Sequence, residues 1–442
     1  MKPQTPPDFP TDDLFRHRLE NLIDMRHELV KLAGLIDWEY FDSKWGETFS
    51  EDGRPGIATR RIAGLHYLKH TYGLSDEQVV MRWAENPYWQ YFCGETYFQH
   101  KLPLNPSSLT RWRQRLGGKG IEVLLSTTID AAIESKAVKR GDLKRVTVDT
   151  TVQEKAIAFP TDSRLYNRAR ERLVRLAKVH GVPLRQSYVR VGPRLLFKNN
   201  RYGHARQMRR QQRTTSKLKT VLGRVYRDIE RRLGEQGESV QAAFAEPMTL
   251  TKRLLDQQRK DKNKLYALHA PEVECIAKGK AHKRYEFGVK VSIATTNRSN
   301  LVVGAQSLPG NPYDGHTLSS ALAQVEQLTG LRPERCYVDL GYRGHDVSDV
   351  DVFKARQKRG VTRSIGRELK RRNAIEPIIG HMKNDGLMHR NQLKGTDGDA
   401  INAILCGVGQ NLRLILRHLR VFCLTIRQAY MRKPFLSSQC PA

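Results

Sequence analysis

Leu14, Leu19, Leu22, Ile23, Leu29, Leu32 and Ile36 recur at approximately three-to-four spacing, which predicts a helix with one buried face. Thr11 followed by Asp12 and Asp13 reads as its start, because acids suit the positive end of a helix. Ser75 with Gln78 three residues on predicts a capping box that opens a further helix. Ser107 and Ser108 precede Leu109–Arg115, a predicted short helix that stops at Gly117-Gly118. Its arginines, Arg111 and Arg113 among them, either lie on nucleic acid or form a solvated basic face over a packed Trp112. The whole stretch to about residue 140 reads as helical.

The period then changes. Lys144-Arg145-Val146-Thr147-Val148-Asp149 alternates apolar and polar positions like a strand and ends on an acid. Tyr285–Thr296 and Leu301–Ser307, separated by Asn297–Asn300, predict a hairpin. A helix is expected from His316 to about Thr329, and Arg335–Asp339 is another short strand finishing on an acid. Strands mixed with helices in this order indicate an α/β sheet with functional groups at strand ends. Inside this region, from about residue 162 to 270, Leu218, Val221, Leu222, Val225, Ile229 and Leu233 keep a helical period up to Gly234. The simplest account is a helix pair or bundle inserted into the α/β domain. Leu405, Val408, Leu412, Ile415, Leu416 and Leu419 form a late helical stripe expected in the core.

Charge changes the picture from fold to partner. Lys and Arg number 76 against 46 Asp and Glu, a formal net charge of +30, and such an excess calls for a polyanion, most commonly nucleic acid. Residues 161–240 alone hold 21 basic against 6 acidic residues, so the insertion is a second expected nucleic-acid contact, with Arg209 and Arg210 among its candidates. No uncharged apolar run is long enough to span a bilayer. The start has no apolar core of a signal peptide, and the expected location is the bacterial cytoplasm. Six scattered cysteines form no C-x-x-C pair and read as small buried hydrophobes. Gly117-Gly118-Lys119-Gly120 does not satisfy the phosphate-loop pattern.

The chemistry rests on carboxylates. Asp149 and Asp339 close apolar strands, and Glu376 follows in Arg372-Asn373-Ala374-Ile375-Glu376-Pro377. With Asn373 as a helix cap, Pro377 falls in the first turn, where its missing N–H costs least. Arg372, Glu376 and Lys383 then share one face to within roughly 40°. Each acid has a plain structural reading, as a turn residue or an i,i+4 ion pair. Three acids from two strands and a helix are what two hard divalent cations require.

Tyr72-Gly73-Leu74-Ser75-Asp76-Glu77, Tyr91-Phe92-Cys93-Gly94, Lys278-Gly279-Lys280 with Tyr285–Lys290, and Leu308–Leu318 carry a family resemblance. So do Val338–His345 and the segment from Arg371 to Asn411. Together they resemble the DDE transposases of bacterial insertion sequences, specifically the insertion-sequence-five family. The resemblance implies an α/β protein with an RNase H-like catalytic core at 141–430, interrupted by the basic helical insertion. It also implies an N-terminal helical domain at 1–140 for DNA binding and dimerisation, and a tail at 431–442. Asp149, Asp339 and Glu376 match the three acids that bind two Mg²⁺ ions, with Mn²⁺ able to substitute. Arg372 and Lys383 match the basic positions around the third acid, as phosphate contacts, and Arg343 is a further candidate contact. Leu369 stands where the wider group has tyrosine, and Leu340 where a basic residue is expected, so those two roles do not transfer. Asp314 and His316 lie in a matching loop, either as helpers at the site or as a turn Asp and a helix-start His. His345 and His381, near the acids, read as structural or phosphate-facing. The implied partners are double-stranded DNA, as terminal inverted repeats and target, and a second copy of the chain in the synaptic complex. Rival readings are a non-catalytic DNA-binding regulator and an RNase H-like nuclease or resolvase.

Overall fold

Asp24 breaks the first predicted helix. Its carboxylate accepts the Arg26 backbone N–H at 2.9 Å, a local turn that competes with helical pairing. The face read from 14 to 36 is therefore divided between α1 (Leu19–Leu22) and α2 (Glu28–Leu35). The protein is seen here as a computed structural model that describes residues 17–49, 56–258, 260–277 and 283–431, with side chains to 421. The expected start at Thr11, the Lys278-Gly279-Lys280 motif and the tail beyond 431 lie outside the described residues.

The chain continues through α3 (Glu39–Trp45), α4 (Thr59–Tyr72), α5 (Asp76–Glu85), α6 (Pro87–Phe92) and α7 (Pro106–Glu134). The Ser75–Gln78 capping box opens α5 as predicted, with both reciprocal bonds made. The expected stop at Gly117-Gly118 is only a kink. Gly117 takes φ 61 and ψ −172, and α7 resumes as far as Glu134. Ile121, Leu124, Leu125 and Ile129 beyond the kink are all buried in the core, so packing overrides the glycine pair. Asn105 supplies the cap, not Ser107 or Ser108.

Strand β1 (Arg145–Glu154) is followed by α8 (Asp162–Val179), α9 (Val191–His204), α10 (Met208–Leu233) and α11 (Glu238–Asp256). Then come β2 (Glu274–Ala277), β3 (Tyr285–Thr296), β4 (Val302–Leu308), α12 (Leu318–Thr329), β5 (Arg335–Val338) and β6 (Asp351–Lys354). The last elements are α13 (Arg363–Arg371), α14 (Ile375–Asn384) and α15 (Gly395–Met431). No helix of the described residues is long and apolar enough to cross a membrane.

Two compact units result, one of residues 1–153 with 290–442, the other of 154–289. The sheet order is β2-β3-β1-β5-β6, with β4 on β3. β3 and β4 form the predicted antiparallel hairpin, and its turn uses Asn300 at φ 59. β5 lies parallel to both β1 and β6.

In the first unit α15 packs against α7, α4 and β4. Its stripe Leu405, Val408, Leu412, Ile415, Leu416 and Leu419 is buried, as the periodicity required. Gly409 makes the approach to α4 possible, because a Cβ there would collide with the His70 carbonyl oxygen. Asn411, fully buried, ties α15 to the sheet edge. Its amide accepts from Val302 N–H and donates to Val302 C=O, both at 2.8 Å, and also donates to Thr128 Oγ1 at 3.1 Å. The second unit is a helical bundle of α8–α11 around Leu173, Leu222, Val225, Ile229, Phe244 and Leu254.

Arg113 corrects one expectation. It is buried, and its guanidinium forks onto Asp76, Nη1 to Oδ1 at 2.9 Å and Nη2 to Oδ2 at 2.5 Å. Lys69 Nζ adds a bond to Asp76 Oδ1 at 2.6 Å. The residue therefore locks α7 to α5 and α4 and is not available to DNA. Burial raises the Asp76 carboxyl, but the Arg113 fork and the Lys69 ammonium outweigh burial and hold it well below the usual carboxylate range.

Two stability measurements test this account by urea unfolding. All five tryptophans (Trp38, Trp45, Trp83, Trp89 and Trp112) lie in the first unit, so their fluorescence reports it. Asn411→Leu, which strands two buried backbone groups of Val302, is expected to cost roughly 2–4 kcal/mol; a loss under about 0.5 kcal/mol would count against the tie. Asp76 has a folded value below its unfolded one, so its contribution is full at neutral pH and is lost as pH falls below about 4. The gap between wild type and Asp76→Asn is expected to shrink between pH 6 and pH 3, whereas a pH-independent gap would contradict the ion-pair account.

Candidate active site

The parallel register of β1 with β5 is the starting point. Arg145 pairs with Arg335, Val146 with Cys336 and Thr147 with Tyr337. Carried two residues further, the same offset sets Asp149 opposite Asp339, just past the end of β5. Asp149 does not close its strand as expected, because β1 runs on to Glu154. Thr150, Thr151 and Val152 suit a strand, and β3 pairs along the other edge. Asp339 does end its strand and leads into a 3₁₀ turn at Leu340–Tyr342, with its side chain about half exposed.

Arg372 joins the two acids. Its buried Nη2 lies 3.3 Å from Asp339 Oδ1 and 3.9 Å from Asp149 Oδ2. The two carboxylates are thus no farther apart than the sum of those distances. Arg372 Nη1 also donates to Asn373 Oδ1 at 3.3 Å, and its Nε is buried with no partner among the described residues.

Glu376 is not gathered with them. It sits exposed in the first turn of α14 and makes no hydrogen bond or ion pair among the described residues. Among those residues no group of three His, Cys, Asp or Glu is close enough to hold a metal ion. The expected cap at Asn373 is also absent. Residues Arg372–Ala374 form a 3₁₀ turn, and α14 begins at Ile375 without a side-chain cap. At three residues per turn, the tighter winding moves Arg372 off the face a continuous α-helix would give it. Lys383 is half-buried in the last turn of α14.

A fourth carboxylate stands beside the pair. Asp314 Oδ1 accepts from Thr150 Oγ1 at 3.1 Å and from Lys290 Nζ at 3.0 Å. Its Oδ2 would lie 3.1 Å from a Cβ at Gly341, two residues after Asp339. Lys290 also donates to the Pro312 carbonyl at 2.7 Å. Tyr342 is buried close by, and burial followed by the charges of Asp149 and Asp314 pushes its hydroxyl well above the usual range. Sequence reasoning left Asp314 undecided and missed Lys290 and Thr150. The available signal was a lysine inside the buried run of β3.

The remaining candidates are dispersed. Arg111 is exposed on α7 and Arg343 is exposed after the 3₁₀ turn, while Arg209 and Arg210 are exposed at the start of α10 in the second unit. His316 is exposed, its ring edge-on to Tyr313. His345 Nδ1 is buried without a partner among the described residues, and His381 Nδ1 pairs with Asp385 at 2.8 Å along α14. A cleft lined by Lys69, Asp76, Arg113, Arg390 and Lys394 contains none of the three acids. Of the three acids, Glu376 is exposed, Asp339 about half exposed and Asp149 partly buried.

The donor chemistry fits a hard divalent cation. Two carboxylates already converge on one cationic nitrogen, and Mg²⁺ or Mn²⁺ takes oxygen ligands of this kind with waters and substrate phosphate completing the set.

Comparison with known proteins gives these residues a context. The family described as Transposase domain (DUF772) matches residues 17–115, and the Transposase DDE domain matches residues 256–408. The second match takes in Asp339, Arg372, Glu376 and Lys383, while Asp149 lies ahead of it. An uncharacterized protein of Rhizobium meliloti, ORF8 in the nfe locus, is 54% identical over 196 residues, which is 44% of this chain and 95% of that protein. No solved structure matches. With both transposase domains in order along it, the chain belongs to the DDE transposases.

Proposed function

We propose that this transposase, of the insertion-sequence-five kind, cuts DNA at the terminal inverted repeats of an insertion sequence and joins the freed end to target DNA. The observation that carries the reading is the convergence of Asp149 and Asp339 on Arg372. A mixed sheet with acids on β1 and after β5, and a third on α14, supports an RNase H-like core. Residues 1–140 would serve DNA binding and dimerisation, residues 141–430 the chemistry, and the insertion at about 162–270 further DNA contact.

Asp149, Asp339 and Glu376 would hold two Mg²⁺ ions. Bound there, such ions supply charge stabilisation to the attacking and leaving oxygens of an in-line displacement. In the first reaction water attacks the phosphodiester at the element's end, and the 3′-oxygen leaves as a free hydroxyl. In the second, that hydroxyl attacks a target-strand phosphate and displaces the target's own 3′-oxygen. Arg372 would grip phosphate oxygens as a planar fork, and Lys383 as a point charge. Thr150 and Lys290 tie the Asp314 loop to β1, which carries Asp149, and to its neighbour β3. Positioning and charge stabilisation are the protein's main contributions to phosphoryl transfer.

The isolation of Glu376 favours one rival, a DNA-binding regulator without catalysis. Purified protein with Mg²⁺ and a duplex carrying the terminal repeat and its flank separates the two. Cutting at the repeat boundary and joining to a second duplex are expected, with both reduced to background in Asp149→Ala, Asp339→Ala and Glu376→Ala. Tight binding without cutting in Mg²⁺ or Mn²⁺ would install the regulator reading; cutting without joining would favour a nuclease or resolvase. Arg372→Lys keeps the charge but loses the fork, and cutting is expected to slow roughly 100-fold. A wild-type rate would remove Arg372 from the mechanism.

A further inference from the structure

Helix α10 (Met208–Leu233) turns its apolar side, Leu218, Leu222, Val225 and Ile229, into the core of the second unit. What it leaves outside is ordered. Arg209, Arg213, Lys217, Arg224, Arg227 and Arg231 are all exposed, and at 100° per residue they fall within about 80° of arc. Thr220 completes the row with a short polar side chain. Arg210 lies at about 100° on the same scale, outside it.

The row contains no acid. α10 has two, Asp228 and Glu230. Asp228 is buried and accepts the Arg185 backbone N–H at 2.7 Å. Glu230 points away by about 60° and accepts from Tyr226 Oη at 3.1 Å. Arg231 is the member of the row near a carboxylate, 3.7 Å from Asp228. Arg209, Arg213, Lys217, Arg224 and Arg227 make no ion pair among the described residues. A row of like charges raises the free energy of the folded bundle, and an external polyanion offsets that cost. From Arg209 to Arg231 the row extends about 33 Å at 1.5 Å per residue, close to one turn of B-DNA, about 34 Å. It holds no Asn or Gln of the kind that pairs with adenine edges.

We propose that this ridge on α10 is a duplex-DNA backbone rail: it binds phosphates along about one helical turn and reads no sequence. The proposal rests on the transposase reading for its choice of DNA as the polyanion. Its contribution is sequence-independent affinity that holds the element and its flank, distinct from recognition of the repeat.

The test uses the full chain and fluorescence-anisotropy titrations against salt, with a terminal-repeat duplex and a scrambled duplex of equal length. The variant Arg213→Gln/Lys217→Gln/Arg224→Gln/Arg227→Gln removes four cations from the ridge. A second variant, Arg175→Gln/Lys178→Gln/Arg194→Gln/Lys198→Gln, removes four exposed cations of the same unit off the ridge. Each phosphate contact contributes about 0.9 to the slope of log affinity against log salt. The ridge variant is therefore expected to flatten the slope by about 3–4 for both duplexes, and the off-ridge variant by less than about 1. Single substitutions, each expected to remove about 0.9, keep the test open if the quadruple variant misfolds by circular dichroism. Equal losses in the two quadruple variants, no loss in the ridge variant, or a loss confined to the repeat would each overturn the rail. Cutting and joining are assayed in parallel. A flattened slope in a protein that never cuts leaves the rail standing and removes the catalytic reading, while normal cutting with an unchanged slope removes the rail alone.

Discussion

Pairing between β1 and β5 is the constraint from which the site follows. The two strands are separated by almost two hundred residues, yet one register, Arg145 to Arg335, places Asp149 beside Asp339. A slip of one residue would turn every side chain of one strand to the opposite face. Val146, Val148, Cys336 and Val338 are all buried, so such a slip would also dismantle the core. Hydrophobic burial thereby fixes the relative positions of two carboxylates that repel each other. Arg372, buried at the end of α13, supplies the compensating charge.

Around that pair the first unit is held by buried polar ties as much as by apolar packing. Asn411 substitutes for strand partners at Val302, Arg113 and Lys69 close on Asp76, and Glu368 accepts from Tyr337 while pairing with Arg145 and Arg335. Most of these ties join segments far apart in sequence, whereas Lys69 and Asp76 are seven residues apart. Groups of this kind add little net stability compared with apolar contacts, but they penalise any arrangement that leaves one of them unmatched. Specific geometry is what phosphoryl transfer demands, because placement of the reacting groups supplies much of the rate.

The charge of +30 is distributed by the same rules. In the helical bundle apolar residues face inward and most cations go to solvent, although Arg170 of α8 is buried. In α10 they collect into a row because the buried face uses up the alternate positions. Unneutralised cations on the outside of a small bundle oppose folding.

The sequence by itself determined the helical periods, the capping box at Ser75, the hairpin at Asn297–Asn300, the buried stripe of α15 and the excess of positive charge. All of these are set by interactions within a few residues or by bulk composition. It also named Asp149, Asp339 and Arg372 as candidates, which the structure brings near one another, with Asp149 inside β1 and not at its end. It misplaced what depends on distant partners. Gly117 reads as a helix end but is only a kink, because the core holds the second half of α7. Arg113 reads as a surface cation but is a buried fork, because Asp76 arrives from another helix. β1 outruns Asp149 because β3 pairs beside it. Lys290, Thr150 and Asp314 come from three separate segments, and only their tertiary placement makes them one cluster. The 3₁₀ turn at Arg372–Ala374 replaces the expected cap at Asn373. Tertiary structure alone decided these points, since a side chain's role there is fixed by a partner that sequence proximity does not reveal.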